Sequence, residues 1–322
     1  MNLNTLAKLC GVSAATVSKA FSGSEEISED TRNKIFEIAK QHGVYDRYNK
    51  NKYDKKVIAV ICPELNSDYY NRYVTLLDKE ITALGGIMTV SVSNFDADRE
   101  KTLISYYSSY CKADGIITVN QKCRVGSEIG IPIVAIGPGK NADTADKIEN
   151  TNVMDDVITY LKENGHTDIG FVGEPLTVGK NECFKEAMRS HALLLNEDFI
   201  KTSSLRFEEA GIQVMDRWFE EKSELPTAII AAYDYIAIGI IKSIIRHGLK
   251  VPEDISVIGM DDIAVGNYLE TPISTIKGNT ELCCRKAAEI IMKKIKNRYY
   301  SESLVVPSEF VVRDSSGKAK EK

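Results

Sequence analysis

The sequence predicts a small all-α head joined to a larger α/β core of two doubly wound parallel-sheet subdomains. Three observations lead to this fold class. Residues 2–21 show two short helical patterns separated by a glycine. From residue 57, continuous apolar runs alternate with helical patterns, as in parallel strands that helices cover on both faces. The alternation restarts near Asp168, which indicates two similar halves with a cleft between them.

The helices of the head are predicted from capping residues. Asn2, Ser13 and Ser28 each precede a helical pattern, and such short polar side chains accept a hydrogen bond from an orphan backbone N–H. Gly11 and Gly43 are expected to end the first and third helices, because glycine readily adopts positive φ. We therefore expect a helix-turn-helix in a three-helix unit whose second helix has an exposed face.

The elements of the core follow from apolar runs and their spacing. Continuous runs of five or six apolar residues indicate buried strands, and periodic runs indicate the helices between them. Ligands of such folds bind at the carboxyl ends of the strands, in the cleft. The expected strands are 57–61, 87–92, 115–119, 132–136, 169–173, 228–232 and 256–260, and the expected helices include 73–84, 154–164, 181–192, 236–247 and 281–296.

The charge of the chain is unevenly placed. Residues 1–56 contain ten Lys and Arg against seven Asp and Glu, a net charge of +3. The remaining residues contain 31 against 39, a net charge of −8. This asymmetry suits a head that faces nucleic acid on an acidic body.

Composition and motifs exclude several classes of protein. The chain has no run of about 18 apolar residues and no signal-peptide pattern, so we expect no membrane span and a cytoplasmic location. Its seven cysteines lack CxxC or metal spacing and are expected to be reduced thiols. HExxH, GxSxG and complete P-loop motifs are absent. We therefore expect no enzyme activity, catalytic residue, metal or cofactor.

The second helix has the features of a helix that reads DNA. Its N-terminal residues would reach base edges in the major groove. Small Ala14 and Ala15 permit close approach and can contact thymine methyl groups, while Lys19 can donate to guanine O6 or N7. A helical bundle for protein contacts also fits the spacing. The residues expected to contact DNA, with the hydroxyl-bearing ones at phosphates, are Asn2, Leu3, Ser13, Ala14, Ala15, Thr16, Ser18, Lys19, Ser22 and Thr31.

The head closely resembles those of the LacI/GalR family of bacterial transcription regulators, which carry a pattern like AxxxGVSxxTVSR. Ala7, Gly11-Val12-Ser13 and Thr16-Val17-Ser18 stand in the corresponding places, and Lys19 replaces the arginine. A lysine lacks the bidentate geometry of arginine. The resemblance implies that the head binds double-stranded operator DNA.

The segment after the head departs from the family pattern. Family members continue with YxPNxxARxL, a hinge helix that wedges a leucine into the minor groove. Residues 45–56 contain no proline, alanine or leucine, although five of the twelve are Lys or Arg and would still attract phosphates. Unless Tyr48 or Tyr53 replaces the leucine, residues 46–56 are expected to be a solvated basic linker, an atypical hinge.

The resemblance continues through the core. Gly165-His166, Pro226-Thr227-Ala228-Ile229, the run 251–259 and Val311-Val312-Arg313 match recognisable stretches of the family. They imply a periplasmic-binding-protein-like fold. The expected domains are a helix-turn-helix domain at 1–45, the linker at 46–56 and an effector-binding and dimerisation core at 57–322, with subdomain one at about 57–150 plus 279–303 and subdomain two at about 151–278 plus 304–322.

The final helix is expected to pack on subdomain one. Its inward positions include Leu282, Ala288, Ile291 and Ile295. In the family, the same surface forms the homodimer. The alternative is a helix that is buried only within its own subunit.

Positions that match the ligand contacts of the family suggest an effector site. The usual Arg, Asn, Asp and Gln of the family are here Lys180, Tyr233, Gly137 and Gly278. The loss of an acid while cationic Lys180 is kept favours an anionic effector, such as a uronate or a phosphorylated sugar. The expected effector-binding residues are Tyr69, Tyr70, Lys180, Arg206, Phe207, Tyr233 and Asp261.

The features together predict a homodimeric repressor of carbohydrate-utilisation genes, controlled by a sugar or sugar-acid effector. Two alternatives share parts of this pattern. A regulator controlled by a protein co-repressor would keep DNA binding and replace the sugar. A secreted sugar-binding protein would share the core fold but have a signal peptide and no DNA-binding head.

Overall fold

The chain forms two compact units, Met1–Lys56 and Val57–Lys322. The computed structural model describes residues 1–24, 26–48, 55–124, 129–137 and 146–320. Residues 49–54 of the expected linker therefore lie outside the described residues. Within the described ranges, every helix is too short or too polar to span a bilayer.

The caps expected in the head are confirmed. Asn2, Ser13 and Ser28 accept hydrogen bonds from the backbone N–H of Thr5, Thr16 and Thr31. The glycines after the first and third helices adopt φ values of 71° and 62°. The helices are α1 (Leu3–Cys10), α2 (Ala14–Phe21), α3 (Glu29–Gln41) and α4 (Tyr45–Tyr48).

Helix α4 extends the head beyond the boundary expected at residue 45. The ring of Phe21 lies 5.9 Å from those of both Tyr45 and Tyr48. The Tyr48 hydroxyl also donates to the carbonyl oxygen of Met1 at 2.8 Å. Aromatic packing thus makes residues 46–48 part of the folded head rather than of a solvated linker.

Subdomain one is built on a six-stranded parallel sheet in the order β11-β5-β4-β3-β1-β2. Its central strands are entirely buried and, apart from Thr118, carry no polar side chain, as expected of a sheet with helices on both faces. The strands are β1 (Val57–Cys62), β2 (Ile87–Val92), β3 (Gly115–Val119), β4 (Ile133–Ile136), β5 (Asp146–Asn150) and β11 (Leu304–Val306), with α5 (Asp68–Ala83), α6 (Ala97–Ser105), a π-helical turn (Tyr106–Tyr110) and α11 (Thr280–Lys296).

Subdomain two contains a second six-stranded sheet, in the order β12-β10-β9-β8-β6-β7. Only the edge pair β10 and β12 is antiparallel among these strands. The strands are β6 (Ile169–Gly173), β7 (Ile200–Thr202), β8 (Ala228–Ala231), β9 (Ser256–Met260), β10 (Ser274–Lys277) and β12 (Glu309–Val311), with α7 (Met154–Glu163), α8 (Val178–Ser190), α9 (Phe207–Glu220) and α10 (Asp234–Arg246).

The chain crosses between the subdomains three times: after β5, after β10 and after β11. The third crossing corrects the boundary expected between residues 303 and 304. Leu304–Val306 form β11, which pairs with β5 and so belongs to subdomain one. The run is only three residues long, too short to give a sequence signal of its own.

Helix α11 packs on α5 and on the sheet of subdomain one, as expected. Ala288 and Ile291 are fully buried there, and Leu282 and Ile295 pack at the edge of the same core. These inward positions are therefore used within the subunit. Any contact of α11 with a partner subunit would have to use its outward positions.

Candidate DNA-binding face and effector cleft

The second helix of the head presents an exposed face. Val17, Ala20 and Phe21 are buried, which turns Ala15, Ser18 and Lys19 to the surface. Ala14 lies half-buried at the start of the helix. The backbone of this helix is fixed by the core, so its outer side chains are displayed on a rigid support.

Two other residues expected at DNA, Leu3 and Ser22, lie close to Ser18 on this face. Leu3, Ser18, Ser22, Phe21 and Tyr48 line a shallow pocket on the head. The hydroxyls at the helix starts are partly engaged in capping. The oxygens of Ser13 and Thr16 are 2.8 Å apart, and Thr31 pairs in the same way with Ser28 at 2.9 Å. Asn2 accepts from Thr5 at 2.9 Å.

Lys19 has a partner that sequence reasoning missed. Its ammonium group forms an ion pair with Glu26, in the loop before α3. This loop is anchored on both sides: Arg32 donates to the Ser24 carbonyl at 2.7 Å, and Ile27 packs on the core of the head. A lysine that reads guanine would first have to leave this acid.

Aromatic side chains line the subdomain-one wall of the cleft. Ser67 caps α5 five residues before its expected start and thereby brings Tyr69 and Tyr70 into the first turn. The ring of Tyr69 lies 5.0 Å from that of Tyr70 and 5.2 Å from that of Tyr73. The Tyr70 hydroxyl accepts from Asn120 Nδ2 at 2.9 Å. Burial, together with neighbouring Tyr73 and Asp261, raises the pKa of Tyr69.

Lys180 faces this wall from subdomain two. Helix α8 begins at Val178, three residues earlier than expected, so Lys180 lies in its first turn. Its ammonium group donates to the carbonyl oxygen of Ala232 at 2.7 Å and pairs with Asp261 at 3.3 Å. The same group lies 5.9 Å from the centre of the Tyr233 ring. Lys180 is therefore paired within the protein.

Arg206 joins the two walls. Its Nη1 and Nη2 contact both carboxylate oxygens of Glu64 at 2.7 and 3.1 Å, and its Nε contacts Glu174 at 3.2 Å. The guanidinium lies 4.7 Å from the ring centre of Phe207. The hydrogen bonds to Glu64 are the main reason why the pKa of Arg206 is raised above its ordinary value.

A short chain of hydrogen bonds extends from this cluster. The Phe207 N–H donates to the Tyr233 hydroxyl at 3.1 Å, and that hydroxyl donates to Glu174 at 3.0 Å. Burial raises the pKa of Tyr233, so the hydroxyl stays protonated. All seven expected effector residues thus lie in one connected group.

Acidic side chains balance the cationic ones in the cleft. Lys180 and Arg206 face three carboxylates, those of Asp261, Glu64 and Glu174. Glu64 and Glu174 escaped the sequence reasoning, although each is the first acid after an apolar strand and stands beside a proline. The basis for an anionic effector is therefore removed.

The positions where family side chains are absent lie beside the site. Gly137 has φ of 99°, and a side chain there would meet the backbone of Asn120 at 3.6 Å. A Cβ atom on Gly278 would lie 3.1 Å from the side-chain amide of Asn150. Gly278 follows β10 and Asn150 ends β5, where two of the crossings between the subdomains begin. Neither position contributes a group that could bind a ligand.

Two family models match the chain. The model of bacterial regulatory proteins of the lacI family matches residues 2–45, and the model of the periplasmic binding protein-like domain matches residues 158–316. Together they cover more than half of the sequence. The chain belongs to the LacI family. The fold class predicted from the sequence is thereby confirmed.

Curated relatives of this LacI-family chain are named as transcriptional repressors. The HTH-type transcriptional repressor CytR of Escherichia coli (strain K12) is 24% identical over 95% of this chain and 93% of CytR. The probable HTH-type transcriptional repressor ExuR of Bacillus subtilis (strain 168) is 27% identical over 98% of both proteins. The chain is accordingly a transcriptional repressor of this family and not an enzyme.

Solved structures show the same fold. The lac repressor dimer bound to operator and the anti-inducer ONPF matches with a TM-score of 0.72, 19% identity, and coverage of 98% of this chain and 99% of the other. The transcriptional regulator CelR in complex with cellobiose matches with a TM-score of 0.70, 21% identity, and coverage of 98% and 100%. At this identity, the likeness establishes the fold alone.

Proposed function

We propose that this repressor binds a pseudo-palindromic operator as a homodimer and responds to a neutral, polyhydroxylated effector in the cleft. The observation that carries the effector proposal is the Arg206 cluster. It supports the proposal because paired charges, hydroxyls and aromatic rings lie close together between the two subdomains. Such a site offers many donors and acceptors but no uncompensated positive charge.

DNA contact is proposed for the exposed face of α2 and the residues around it. Ala15 and Lys19 would face base edges, and the hydroxyl-bearing residues, Ser18 among them, would contact phosphates. Ser18 and Ser22 line one shallow pocket with Leu3, which supports a continuous surface. The head carries a net positive charge, as expected of a surface that neutralises phosphates.

A selection experiment tests the DNA proposal. Genomic fragments retained by the purified protein should contain a common inverted repeat, and gel shifts should show specific binding to it. Retention of fragments without any shared sequence would overturn the proposal. The genes beside the selected sites would also indicate the metabolic role.

The effector proposal rests on the chemistry of the cleft. Carboxylates accept hydrogen bonds from pairs of sugar hydroxyls, and Lys180 and Arg206 can donate to others without losing their counter-ions. Tyr69 and Phe207 offer rings for the apolar face of a sugar. Relatives of this fold include regulators in complex with cellobiose and with D-xylulofuranose.

Calorimetry with matched ligand pairs tests this proposal. Neutral mono- and disaccharides should include a ligand that binds, and the corresponding uronic acids should bind more weakly. Asp261→Asn should weaken binding of the neutral ligand, because the amide accepts fewer hydrogen bonds than the carboxylate. Tight binding of sugar acids alone would overturn the neutral-effector proposal. Binding of a protein instead of any small molecule would favour a co-repressor.

The dimer is proposed to form through the β2 edge of subdomain one. Strand β2 is the last strand of its sheet, and its Ile87 and Val90 are exposed, as is Leu84 at the end of α5. Exposed apolar side chains on an edge strand favour pairing with a partner. Sedimentation of Val90→Glu should show a monomer, with Val312→Glu in subdomain two as the control. An unchanged dimer in both variants would exclude this surface.

A further inference from the structure

The two subdomains are joined by a partly buried ion pair between Glu64 and Arg206. Glu64 follows β1 of subdomain one, whereas Arg206 precedes α9 of subdomain two. The contact is bidentate, with distances of 2.7 and 3.1 Å. Glu174, also in subdomain two, holds the Nε of the same guanidinium at 3.2 Å.

The burial of these groups sets the pair apart from surface ion pairs. Glu64 and Glu174 are 8% and 4% exposed, and the Arg206 side chain is 32% exposed. Partly buried charges are screened much less than exposed ones. Planar, bidentate pairing of arginine with a carboxylate adds geometric specificity. The contact therefore has a defined geometry that depends on the distance between the subdomains.

We propose that Glu64 determines the charge specificity of the cleft by holding Arg206 in a cross-cleft pair that closes the effector-free protein. The proposal rests on the proposed effector function of the cleft. It assigns Glu64 a role in selecting the class of ligand and in setting the open–closed equilibrium.

The exclusion of acids follows from the balance of charges. A ligand carboxylate could form a bidentate pair with Arg206 only by displacing Glu64, which would leave that carboxylate without its counter-ion, and at the remaining N–H groups it would stand beside Glu64, where like charges repel. Breaking a buried pair in this way is strongly unfavourable. A neutral hydroxyl group can instead donate to a remaining lone pair of Glu64 while the ion pair stays in place.

The closing role follows from where the pair lies. Two further contacts cross the same interface: Arg72 donates to the Asp262 carbonyl at 2.8 Å, and the Ala264 N–H donates to Asp68 at 3.4 Å. Both involve a backbone group on subdomain two. Among the cross-cleft contacts named here, only the Glu64 pair joins two charged side chains.

The first test measures closure without any ligand. Hydrogen exchange, followed by mass spectrometry on the full chain, compares wild type, Glu64→Gln and Glu186→Gln, a matched change at an exposed acid of α8. We expect amides in 62–66 and also in 203–207 to exchange about tenfold faster in Glu64→Gln alone, within the range of typical coupling energies. Faster exchange confined to 62–66 would show a local role and overturn the closing role.

A double variant keeps this test independent of local unfolding. If the pair acts as a unit, Glu64→Gln/Arg206→Gln should exchange no faster than Arg206→Gln alone, which also loses the contact with Glu174. Additive effects of the two substitutions would contradict the pairing.

The second test measures charge specificity with two probes, D-glucuronate and D-galacturonate. Neither uronate should raise the unfolding temperature of wild type. Both should raise that of Glu64→Gln, because in this variant Arg206 faces one carboxylate fewer and can pair with the carboxylate of the ligand. Stabilisation of wild type, or equal responses of both proteins, would overturn the specificity role. Gel shifts with the selected operator test the repressor function separately, since Glu64 lies outside the head.

Discussion

Replacement of Gly239 by alanine should destabilise the core, because α9 and α10 touch there through their backbones. A Cβ atom on Gly239 would lie 2.0 Å from the carbonyl oxygen of Glu208, and one on Gly211 would lie 2.2 Å from that of Ile236. Ordinary contacts of this kind are about 3.4 Å. Backbone atoms cannot rotate away as side chains do, so the helices would have to separate by more than an ångström.

The magnitude follows from two opposing effects. Overpacking of a core costs about 1–3 kcal/mol, and a clash with backbone lies at the upper end of that range. Alanine recovers up to about 1 kcal/mol over glycine inside a helix. We expect Gly239→Ala to lower the free energy of unfolding by about 2 kcal/mol.

Gly179 provides a control with the opposite sign. It lies in the first turn of α8, and a Cβ atom there would meet nothing within 4 Å. Gly179→Ala should therefore stabilise the protein by up to about 1 kcal/mol.

Urea unfolding, followed by fluorescence, measures both variants. Trp218 is the only tryptophan of the chain, is 2% exposed and lies on α9 itself. It therefore reports on the helix that Gly239→Ala would displace. A Gly239→Ala protein as stable as wild type would refute the close-packing argument.

Three further outcomes are expected. Lys19→Ala should weaken operator binding by about 1–3 kcal/mol in gel shifts if Lys19 reads a guanine, whereas Lys242→Ala, at an exposed lysine of α10, should not. Equal affinities of Lys19→Ala and wild type would remove that role. Burial raises the pKa of Asp234 to about 8, so the folded protein retains a proton that the unfolded chain loses near pH 4. This proton makes the free energy of unfolding of wild type fall as pH rises between these two pKa values. The difference in the free energy of unfolding between Asp234→Asn and wild type should therefore change between pH 6 and 8.5. A constant difference would contradict the raised pKa of Asp234. Cys111 is exposed and should react first with a thiol reagent, whereas burial raises the pKa of Cys123 to about 12 and should protect it until unfolding; rapid reaction in Cys111→Ser would refute this.

The sequence predicted the head well because its signals are local. Caps such as Ser13 and the apolar spacing around Val17 act over one or two turns, and the structure confirms them. In the core, the long apolar strands were placed within a residue or two for the same reason. Helix starts were less accurate where a cap such as Ser67 lay several residues before the apolar pattern.

The partners of charged residues could not be predicted from local patterns. Glu64 and Arg206 are 142 positions apart, and only the packing of two subdomains brings them together. The short strands β5, β7, β10, β11 and β12 were missed as well, because runs of three to five residues are too short to give a periodic signal. The charge balance of the cleft could therefore not be predicted from the sequence.

The three crossings restrict how the subdomains can move. They leave from strands β5, β10 and β11, near one edge of each sheet, whereas β1 lies three strands away from β5. With strands about 4.8 Å apart, the lever arm to β1 is about 14 Å. A rotation of about 10° around the crossings would displace Glu64 by roughly 2.5 Å, nearly the length of a hydrogen bond. Small angular motions thus separate the groups at the far edge completely while hardly stretching the connections that guide them.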